Sequence, residues 1–347
     1  MTGGVFLGVS IIIGGQYGSE GKGKVAFWYT NKVDASSVIR VGGINSGHTV
    51  ISSHGEALIF RVLPTSAIGN KAKCILPAGS YISVDLLFKE IKQSGIDPQK
   101  IVIDPKSVVV NDRHISEEKN SSLLRNIGST ASGTGVAVSM RVNRSPDVVF
   151  AKDVPALTPF ILDTSELLRN EIKSGKEIVI EGTQGFGLSN IHTPFYPFAT
   201  SRDTTAAGFL SETGLSPLDV TNIIMVIRSF PIRVAGNSGP LPKEITWDDV
   251  TAHSNNTSPI REYTSVTKRL RRVALFDAEI VKKAISVNNP NIIVLNHLDY
   301  IGEPDGPLFG TNRRQFVYRI EKEIGRKIDY IGLDNQAVIQ ADHTDSD

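Results

Sequence analysis

The feature that most constrains the fold is a glycine- and lysine-rich loop that follows an apolar run near the N-terminus. Phe6–Ile13 has the composition of a buried β-strand, and residues 14–24 then read GGQYGSEGKGK. Glycines let backbone N–H groups crowd around phosphate oxygens, and the N-terminus of the helix predicted over Val25–Asn31 adds positive potential. Lys22 and Lys24 supply charge. The pattern predicts a phosphate-binding loop; an ordinary strand-to-helix turn is the alternative.

Composition narrows the function classes. The chain has 347 residues, a net charge of +1 and a single cysteine, Cys74. A near-neutral chain lacks the basic excess that nucleic acids and anionic membranes require, and one cysteine makes neither a disulfide framework nor a cysteine metal site. The apolar opening is too short to span a bilayer and lacks the features of a signal peptide. We therefore expect a cytoplasmic protein without nucleic-acid or membrane partners.

Strand-like and helix-like patterns alternate, which predicts an α/β fold with a mainly parallel central sheet. We expect a single large domain over residues 1–340 and a polar tail at 341–347. The predicted strands are Phe6–Ile13, Val108–Val110, Ile178–Ile180, Ile223–Ile227 and Ile292–Leu295. Predicted helices begin near Ser83 and Thr164, and a third covers Val273–Val287. Glycine-rich segments fall at strand ends, where such sheets bind ligands.

The first loop is not a Walker A motif. Five residues instead of four separate Gly15 from Gly21, and Gly23 follows Lys22 where that motif has serine or threonine. The loop resembles the signature G-x-Q-W-G-D-E-G-K-G-K of adenylosuccinate synthetases, with Tyr17 for the tryptophan and Ser19 for the aspartate. The resemblance implies a P-loop-NTPase-like adenylosuccinate synthetase fold. It also implies that this loop binds the phosphates of a nucleoside triphosphate through Gly18, Ser19, Gly21, Lys22, Gly23 and Lys24.

Residues 42–49, GGINSGHT, are similar to the family's G-G-x-N-A-G-H-T block. The resemblance makes His48 the general acid, a role that suits its near-neutral pKa, and a structural histidine is the alternative. It also implies a Mg²⁺ cofactor bound by Ser19 and the carbonyl of Gly47. Thr49 joins the triphosphate site and Asn45 the monophosphate site. The candidate catalytic residues are Ser19, Lys22 and His48.

Three further segments resemble the family's site for the nucleoside monophosphate. They are residues 127–135 (IGSTASGTG), 181–185 (EGTQG) and 196–201 (YPFATS). The candidate contacts they supply are Ser129, Thr130, Gln184 and Thr200. The resemblance also implies a homodimer in which Arg144 crosses the interface to the partner's nucleotide; a solvated surface charge is the alternative for this residue.

Residues 267–272, TKRLRR, resemble the family's aspartate-binding T-G-R-x-R-R loop. The two carboxylates of L-aspartate need donors, and guanidinium forks suit them. By this resemblance Thr267 and Arg271 bind aspartate, and Arg269 bridges aspartate and nucleotide. The alternative is a solvated run of charge.

Two segments depart from the family pattern for reading the guanine of GTP. Residues 296–299, NHLD, stand where the family has T-K-L-D, and residues 331–335, IGLDN, replace S-T-G-P-[DE]. Asn296 and Asp299 remain candidate contacts to the triphosphate. The departures favour ATP or dATP as the donor and leave GTP open.

Ser19 changes the expected substrate. In the family mechanism the aspartate at this position takes the N1 proton of inosinate, and a serine hydroxyl is no base at neutral pH. Removing the carboxylate makes room beside C2, where guanine carries an amino group. The resemblance is therefore to the phage 2-aminoadenylosuccinate synthetases, which join dGMP and L-aspartate into N6-succino-2-amino-2'-deoxyadenylate for diaminopurine nucleotides and would act in the host cytoplasm. A conventional synthetase using IMP and GTP, and a catalytically silent nucleotide-binding protein, are the alternatives.

Overall fold

The computed structural model describes residues 8–51, 57–121, 126–254, 258–264, 268–302, 310–334 and 337–341. The strands in these ranges are β1 Val9–Gly14, β2 Ser37–Arg40, β3 His48–Ile51, β4 Ala57–Phe60, β5 Lys73–Leu76, β6 Tyr81–Ile82, β7 Ile101–Ile103, β8 Val108–Val109, β9 Ile178–Glu181, β10 Val220–Arg228, β11 Ile232–Arg233, β12 Glu244–Ile245, β13 Arg272–Ala274, β14 Ile292–Asn296, β15 Tyr330–Gly332 and β16 Val338–Gln340. The α-helices are α1 Lys22–Lys32, α2 Val84–Ser94, α3 Asp112–Asn120, α4 Thr134–Val142, α5 Thr164–Lys173, α6 Ala206–Thr213, α7 Trp247–Ser254, α8 Ala278–Asn288 and α9 Thr311–Ile324.

A nine-stranded sheet in the order β16-β15-β14-β10-β1-β9-β2-β5-β7 forms the centre of the molecule. Its neighbouring strands are parallel except at one edge, where β16 runs antiparallel to β15. Apolar layers cover both faces of the sheet. Ile11 and Ile13 of β1 belong to the apolar cluster on one face, and Ile12 belongs to the cluster on the other. Burial on both faces explains why β1 reads as a continuous apolar run. The predicted mainly parallel α/β fold is confirmed.

Most local predictions agree with the structure. The Ser83 hydroxyl accepts a hydrogen bond from the Leu86 N–H at the start of α2. Helix α5 begins at Thr164, with Asp163 as its cap. Helix α1 begins at Lys22, three residues before the predicted start, because Gly21 takes the left-handed conformation (φ 88°) and turns the chain directly into the helix.

One local prediction is wrong. The helix predicted over Val273–Val287 is a short strand, β13, followed by α8, which begins at Ala278 after the capping side chain of Asp277. Short apolar runs do not distinguish strand from helix by periodicity alone, and the Asp277 cap carried the missing signal. The buried strand predicted at Val108 is confirmed as β8, which pairs with β6 in a separate two-stranded sheet outside the central one.

Because the sheet is largely parallel, the loops that follow its strands gather at one edge. These loops follow β1, β2, β9, β10 and β14, and they contain most of the residues singled out by the sequence. None of the described helices is long and apolar enough to cross a membrane. The division into a domain over residues 1–340 and a tail stays a prediction, because residues 342–347 lie outside the described ranges.

Candidate active site

The first glycine loop is organised around the buried carboxylate of Glu20. One carboxylate oxygen accepts hydrogen bonds from the N–H groups of Gln16 (3.2 Å) and Gly18 (2.9 Å), and the other accepts one from the Lys22 ammonium (2.7 Å). A side chain at Gly185 would place its Cβ 2.5 Å from the Gly18 nitrogen, so only glycine lets the β9 loop approach this closely. The loop is thus preformed, with Lys22 held at the N-terminus of α1, where anions bind well.

Lys24 lies at a different place from Lys22. Its ammonium donates to the carbonyl oxygen of Asp334 at 2.7 Å, and burial lowers its pKa to about 8. Asn296 lies nearby and donates its side-chain N–H to the carbonyl of Glu20 at 2.8 Å. Burial raises the pKa of Asp299, which follows on the same loop. The structure therefore groups Lys24 with the predicted base-reading residues Asn296 and Asp299, beside the glycine loop.

His48, the first residue of β3, and Glu181, the last residue of β9, form a buried pair. The His48 Nδ1 lies 2.5 Å from the Glu181 carboxylate, which also accepts hydrogen bonds from the hydroxyls of Thr65 (2.8 Å) and Ser66 (2.6 Å). Arg40 lies 3.3 Å from the same carboxylate and donates to the carbonyl of Ser46 at 3.0 Å, which anchors the loop that carries Gly47. A carboxylate only accepts hydrogen bonds, so the Nδ1 of His48 carries the proton and Nε2 is left for a ligand.

The charges around this pair set its protonation. Burial raises the pKa of Glu181, but the hydrogen bond from His48 and the charges of His48 and Arg40 outweigh it and hold that pKa at about 2. Burial and the Arg40 guanidinium lower the pKa of His48 to about 4, against the attraction of Glu181. In the ligand-free site Glu181 is ionised and His48 is neutral at pH 7. Anionic phosphates close to His48 would favour its protonated, acidic form.

The candidate monophosphate contacts fall into two groups. Asn45 donates its side-chain N–H to the Thr200 hydroxyl at 3.2 Å, so these two segments meet. Gln184 lies in the left-handed region (φ 63°) on the β9 loop, next to the glycine loop. Ser129 donates to the carboxylate of Glu118, and the Thr130 hydroxyl lies 3.3 Å from that of Ser132. This second group lies at the start of α4, beside the residues that cap the helix.

The aspartate loop is described in part. Thr267 lies outside the described residues, and the side chain of Arg269 is exposed. Arg271 is half-buried, burial lowers its pKa, and its Nε donates to the Tyr263 carbonyl at 3.3 Å. Within the described ranges no carboxylate pairs with it, whereas the next arginine, Arg272, is paired with Glu244 at 2.6 Å. A cavity of about 490 Å³ lies beside Arg271 and offers space for a small acid.

Thr49 is exposed on β3, which packs against α1, and Arg144 is exposed just after α4 in the left-handed conformation (φ 56°). The carbonyl oxygen of Thr49 lies close to the glycine loop, 3.3 Å from where a Cβ on Gly23 would be. An exposed position beyond a helix end is compatible with reaching a partner subunit. The dimer stays a prediction.

A buried arginine connects the loops, and sequence reasoning did not identify it. Arg228, at the end of β10, donates to the Ser19 carbonyl at 2.8 Å and pairs with the carboxylate of Glu262. Burial raises the pKa of Glu262, but the charge of Arg228 outweighs it and holds that pKa at about 2. Sequence reasoning also gave no role to Glu20 or Glu181. Glu181 had a usable signal, a carboxylate at the end of a wholly apolar strand, whereas the partners of Arg228 lie far from it in sequence.

Comparison with known proteins identifies the family. The family model for adenylosuccinate synthetase matches residues 11–150 and 147–306. The adenylosuccinate synthetase of Methanocaldococcus jannaschii is 35% identical over 332 residues, covering 92% of each chain, and that of Methanococcus aeolicus is 36% identical over 329 residues, covering 91% of this chain and 94% of its own.

Two solved structures share the fold. The cyanophage S-2L succinoaminodeoxyadenylate synthetase (PurZ), bound to dGMP and to dATP as an energy donor, superposes with a TM-score of 0.81 at 27% identity, covering 96% of this chain and 95% of its own. The fully ligated adenylosuccinate synthetase of Plasmodium falciparum gives a TM-score of 0.83 at 20% identity, covering 96% and 100%, and supports the fold alone. From the family match over most of its length, the chain belongs to the adenylosuccinate synthetase family of carbon–nitrogen ligases.

Proposed function

We propose that this ligase condenses dGMP with L-aspartate, using ATP or dATP, to give N6-succino-2-amino-2'-deoxyadenylate. The γ-phosphoryl group moves from the triphosphate to O6 of guanine, and N1 gives up its proton. The amino nitrogen of L-aspartate then bonds to C6 as the C6–O6 bond breaks and inorganic phosphate leaves. The products are the succinylated nucleotide, a nucleoside diphosphate, phosphate and the protons lost from N1 and from the amino group of aspartate.

Ser19 carries this proposal. Its side chain is exposed at the tip of the glycine loop, and its backbone has a left-handed conformation (φ 56°). Arg228 donates to the Ser19 carbonyl, so a buried group holds the backbone that carries the side chain. In the proposed complex the hydroxyl accepts a hydrogen bond from the guanine 2-amino group, which the family's aspartate would crowd. A site built around such a group discriminates strongly against a base that lacks it.

The cyanophage enzyme supports the same choice of substrates. It shares the fold at 27% identity and carries dGMP and dATP. This chain also lacks the lysine with which the family reads guanine in GTP, and His297 stands there. Burial lowers the pKa of His297 to about 3, so a neutral ring replaces a cation. A neutral group at this position removes one reason to prefer GTP.

The remaining residues take roles that follow from their positions. Lys22 and the N-terminus of α1 bind phosphates of the triphosphate, and His48, oriented by Glu181, donates its proton or hydrogen bond to O6 as charge develops there. Asn45, Ser129, Thr130, Gln184 and Thr200 bind the monophosphate nucleotide. Arg271 binds a carboxylate of L-aspartate, with Arg269 between aspartate and nucleotide. Arg144 reaches the site of the partner subunit.

Enzymes of this family depend on Mg²⁺. The candidate metal ligands in this chain fit a Mg²⁺ ion that binds together with the phosphates of the nucleotide. The candidate ligands, the Ser19 hydroxyl and the Gly47 carbonyl, are neutral oxygens, and no group of three acidic, histidine or cysteine side chains suited to a metal occurs among the described residues. Mg²⁺ characteristically keeps water and phosphate ligands and needs few from protein. Bound there, it would neutralise phosphate charge.

A conventional activity, with IMP and GTP, is the second candidate. It is favoured by the curated archaeal relatives, which are adenylosuccinate synthetases at 31–36% identity. The two candidates differ in the base of the monophosphate and in the donor, so one set of assays separates them.

The deciding experiment measures kcat/KM for dGMP, GMP and IMP with ATP, dATP and GTP in wild type, Ser19→Asp and Ser19→Ala. We expect wild type to prefer dGMP. Ser19→Asp should lower the dGMP-to-IMP ratio by at least about tenfold, which corresponds to about 1.4 kcal/mol of transition-state discrimination. Ser19→Ala, which leaves the space but removes the acceptor, should lower it less. A wild-type preference for IMP would refute the proposal and leave a conventional synthetase; no turnover with any combination would leave a silent nucleotide-binding protein.

A further inference from the structure

An ion pair between the fully buried Arg228 and the mostly buried Glu262, whose side chain is 20% exposed, lies between the two loops that are proposed to hold different substrates. The Arg228 side chain is fully buried, and both of its terminal nitrogens face the Glu262 carboxylate, Nη1 at 3.3 Å from Oε2 and Nη2 closer to Oε1. The Tyr300 hydroxyl donates to the same carboxylate at 2.8 Å. Such a two-pronged arrangement fixes direction as well as distance.

On one side the pair holds the glycine loop. Arg228 Nη1 donates to the Ser19 carbonyl at 2.8 Å, and the Arg228 backbone is bound at both polar groups by the side chain of Gln16, at 2.9 and 3.2 Å. Gln16 precedes the tip of the loop, and Ser19 lies at it. Arg228 therefore fixes the loop at two points three residues apart.

On the other side the pair holds the aspartate loop. The Glu262 carbonyl accepts the backbone N–H of Arg271 at 2.9 Å, and the neighbouring Tyr263 carbonyl accepts its Nε at 3.3 Å. The position of Arg271 thus follows that of residues 262 and 263. A continuous chain of hydrogen bonds runs from Ser19 through Arg228 and Glu262 to Arg271.

Stability alone does not account for such a pair. Taking two charges out of water costs several kcal/mol per ion, and apolar residues of similar size often stabilise as well or better. The Arg228 Nε is buried with no hydrogen-bond partner within the described residues, so the arginine is not optimally satisfied either. Because the Arg228–Glu262 pair is costly to bury and contacts both the glycine loop and the aspartate loop, it points to a role in setting the position of one loop relative to the other.

We propose that Arg228 and Glu262 are positioning residues that set the aspartate loop against the glycine loop, so that filling the nucleotide site orders Arg271 for aspartate. The inference rests on the proposed role of Arg271. It predicts that breaking the pair weakens the use of aspartate more than the binding of nucleotide, although neither residue is among the proposed aspartate contacts.

The experiment is a double-mutant cycle with Arg228→Met, Glu262→Gln and their combination, together with Arg228→Lys. The measured quantities are KM for L-aspartate, kcat, and the Kd of the monophosphate nucleotide. Glu177→Gln is the matched control, because Glu177 is another buried carboxylate, bonded to the Ser10 hydroxyl at 2.6 Å, at the opposite end of β9 from the site. Thermal melting of every variant measures the loss of stability that accompanies the change.

We expect Glu262→Gln to raise the aspartate KM by about tenfold or more, because one well-placed charged contact is lost. The Kd of the monophosphate nucleotide should change by less than about threefold. The double variant should be no worse than Arg228→Met alone, and Arg228→Lys should recover part of the loss, since interacting residues are non-additive. An aspartate KM within twofold of wild type in Glu262→Gln, or additive effects in the cycle, would overturn the proposal. If Arg271→Lys also leaves aspartate KM unchanged, the assignment of the aspartate loop fails instead.

Discussion

Replacing Glu181 by glutamine tests the central pair of the site, because it keeps the shape of the side chain and removes its charge. The two oxygens of Glu181 accept hydrogen bonds from different donors. One faces His48 at 2.5 Å and Arg40 at 3.3 Å, and the other faces the backbone N–H of Ser66 at 3.1 Å. A glutamine must place its NH₂ in one of these positions. Either way it meets a donor that cannot become an acceptor, Arg40 or the Ser66 N–H.

The size of the effect follows from this geometry. One unsatisfied buried donor costs about 1–3 kcal/mol, and leaving Arg40 without its buried counter-charge brings the loss of stability to about 3–5 kcal/mol. The catalytic loss is separate. Without an ionised acceptor, the Nδ1 proton of His48 is no longer fixed, and general acid catalysis contributes about 10²- to 10⁴-fold. We expect kcat to fall at least about 100-fold.

The assay measures phosphate release with saturating dGMP, L-aspartate and ATP, alongside thermal melting, below the melting temperature of every variant. Glu177→Gln is the control: it neutralises a buried carboxylate at the other end of the same strand and should lose stability while keeping most of its kcat. If Glu181→Gln keeps more than a tenth of the wild-type kcat, the reasoning that Glu181 orients His48 is refuted, whatever happens to stability.

Three further predictions test the same site. His48→Ala should lower kcat by about 100-fold or more with melting still cooperative, and near-normal turnover would leave His48 a structural residue. Arg271→Lys keeps the charge but loses the planar fork, so KM for L-aspartate should rise strongly while the Kd for dGMP changes little; equal weakening of both would contradict the aspartate assignment. In the folded protein the pKa of His48 is lowered to about 4 and that of His297 to about 3. As the pH falls, both imidazoles therefore bind a proton more readily in the unfolded chain, where the pKa of histidine is about 6.5. The stability that depends on the neutral imidazoles is thus complete above about pH 6.5 and is lost as the pH falls toward the lowered pKa values. His48→Asn and His297→Asn should each flatten the fall in melting temperature between pH 6.5 and 4.5, and an unchanged slope would show that the pKa is not lowered.

The sequence was most informative where local chemistry decides structure. The apolar run before Gly14 is typical of a strand buried on both faces, and the glycines after it marked the loop at its end. The same reasoning failed at Val273, where the chain forms three residues of strand before the Asp277 cap, because tertiary pairing with β11 and β12 decides that segment.

The site divides in the same way. Residues within a motif, such as His48 and Asn45, were identified because the motif is contiguous. The partners that give them their properties come from distant segments: Glu181 lies 133 residues from His48, and Arg228 lies 209 residues from Ser19. A local sequence pattern does not predict which buried carboxylate pairs with which buried cation. Contacts of this range depend on strand order, which the sequence of one chain did not provide.

The place of β1 in the middle of the sheet has a consequence for how the chain is made. Val9 pairs with Ile178 on one side and with Val220 on the other, so both neighbours of the first strand are synthesised much later. At about 5–20 residues per second, the ribosome needs about 10–40 s to supply β10 after β1 has emerged. Until β9 emerges, the segment VSIIIG lacks both of its partner strands, and unpaired apolar strands are prone to self-association. Since β1 leaves the ribosome long before either strand that covers its edges, we expect it to be a binding site for chaperones during synthesis.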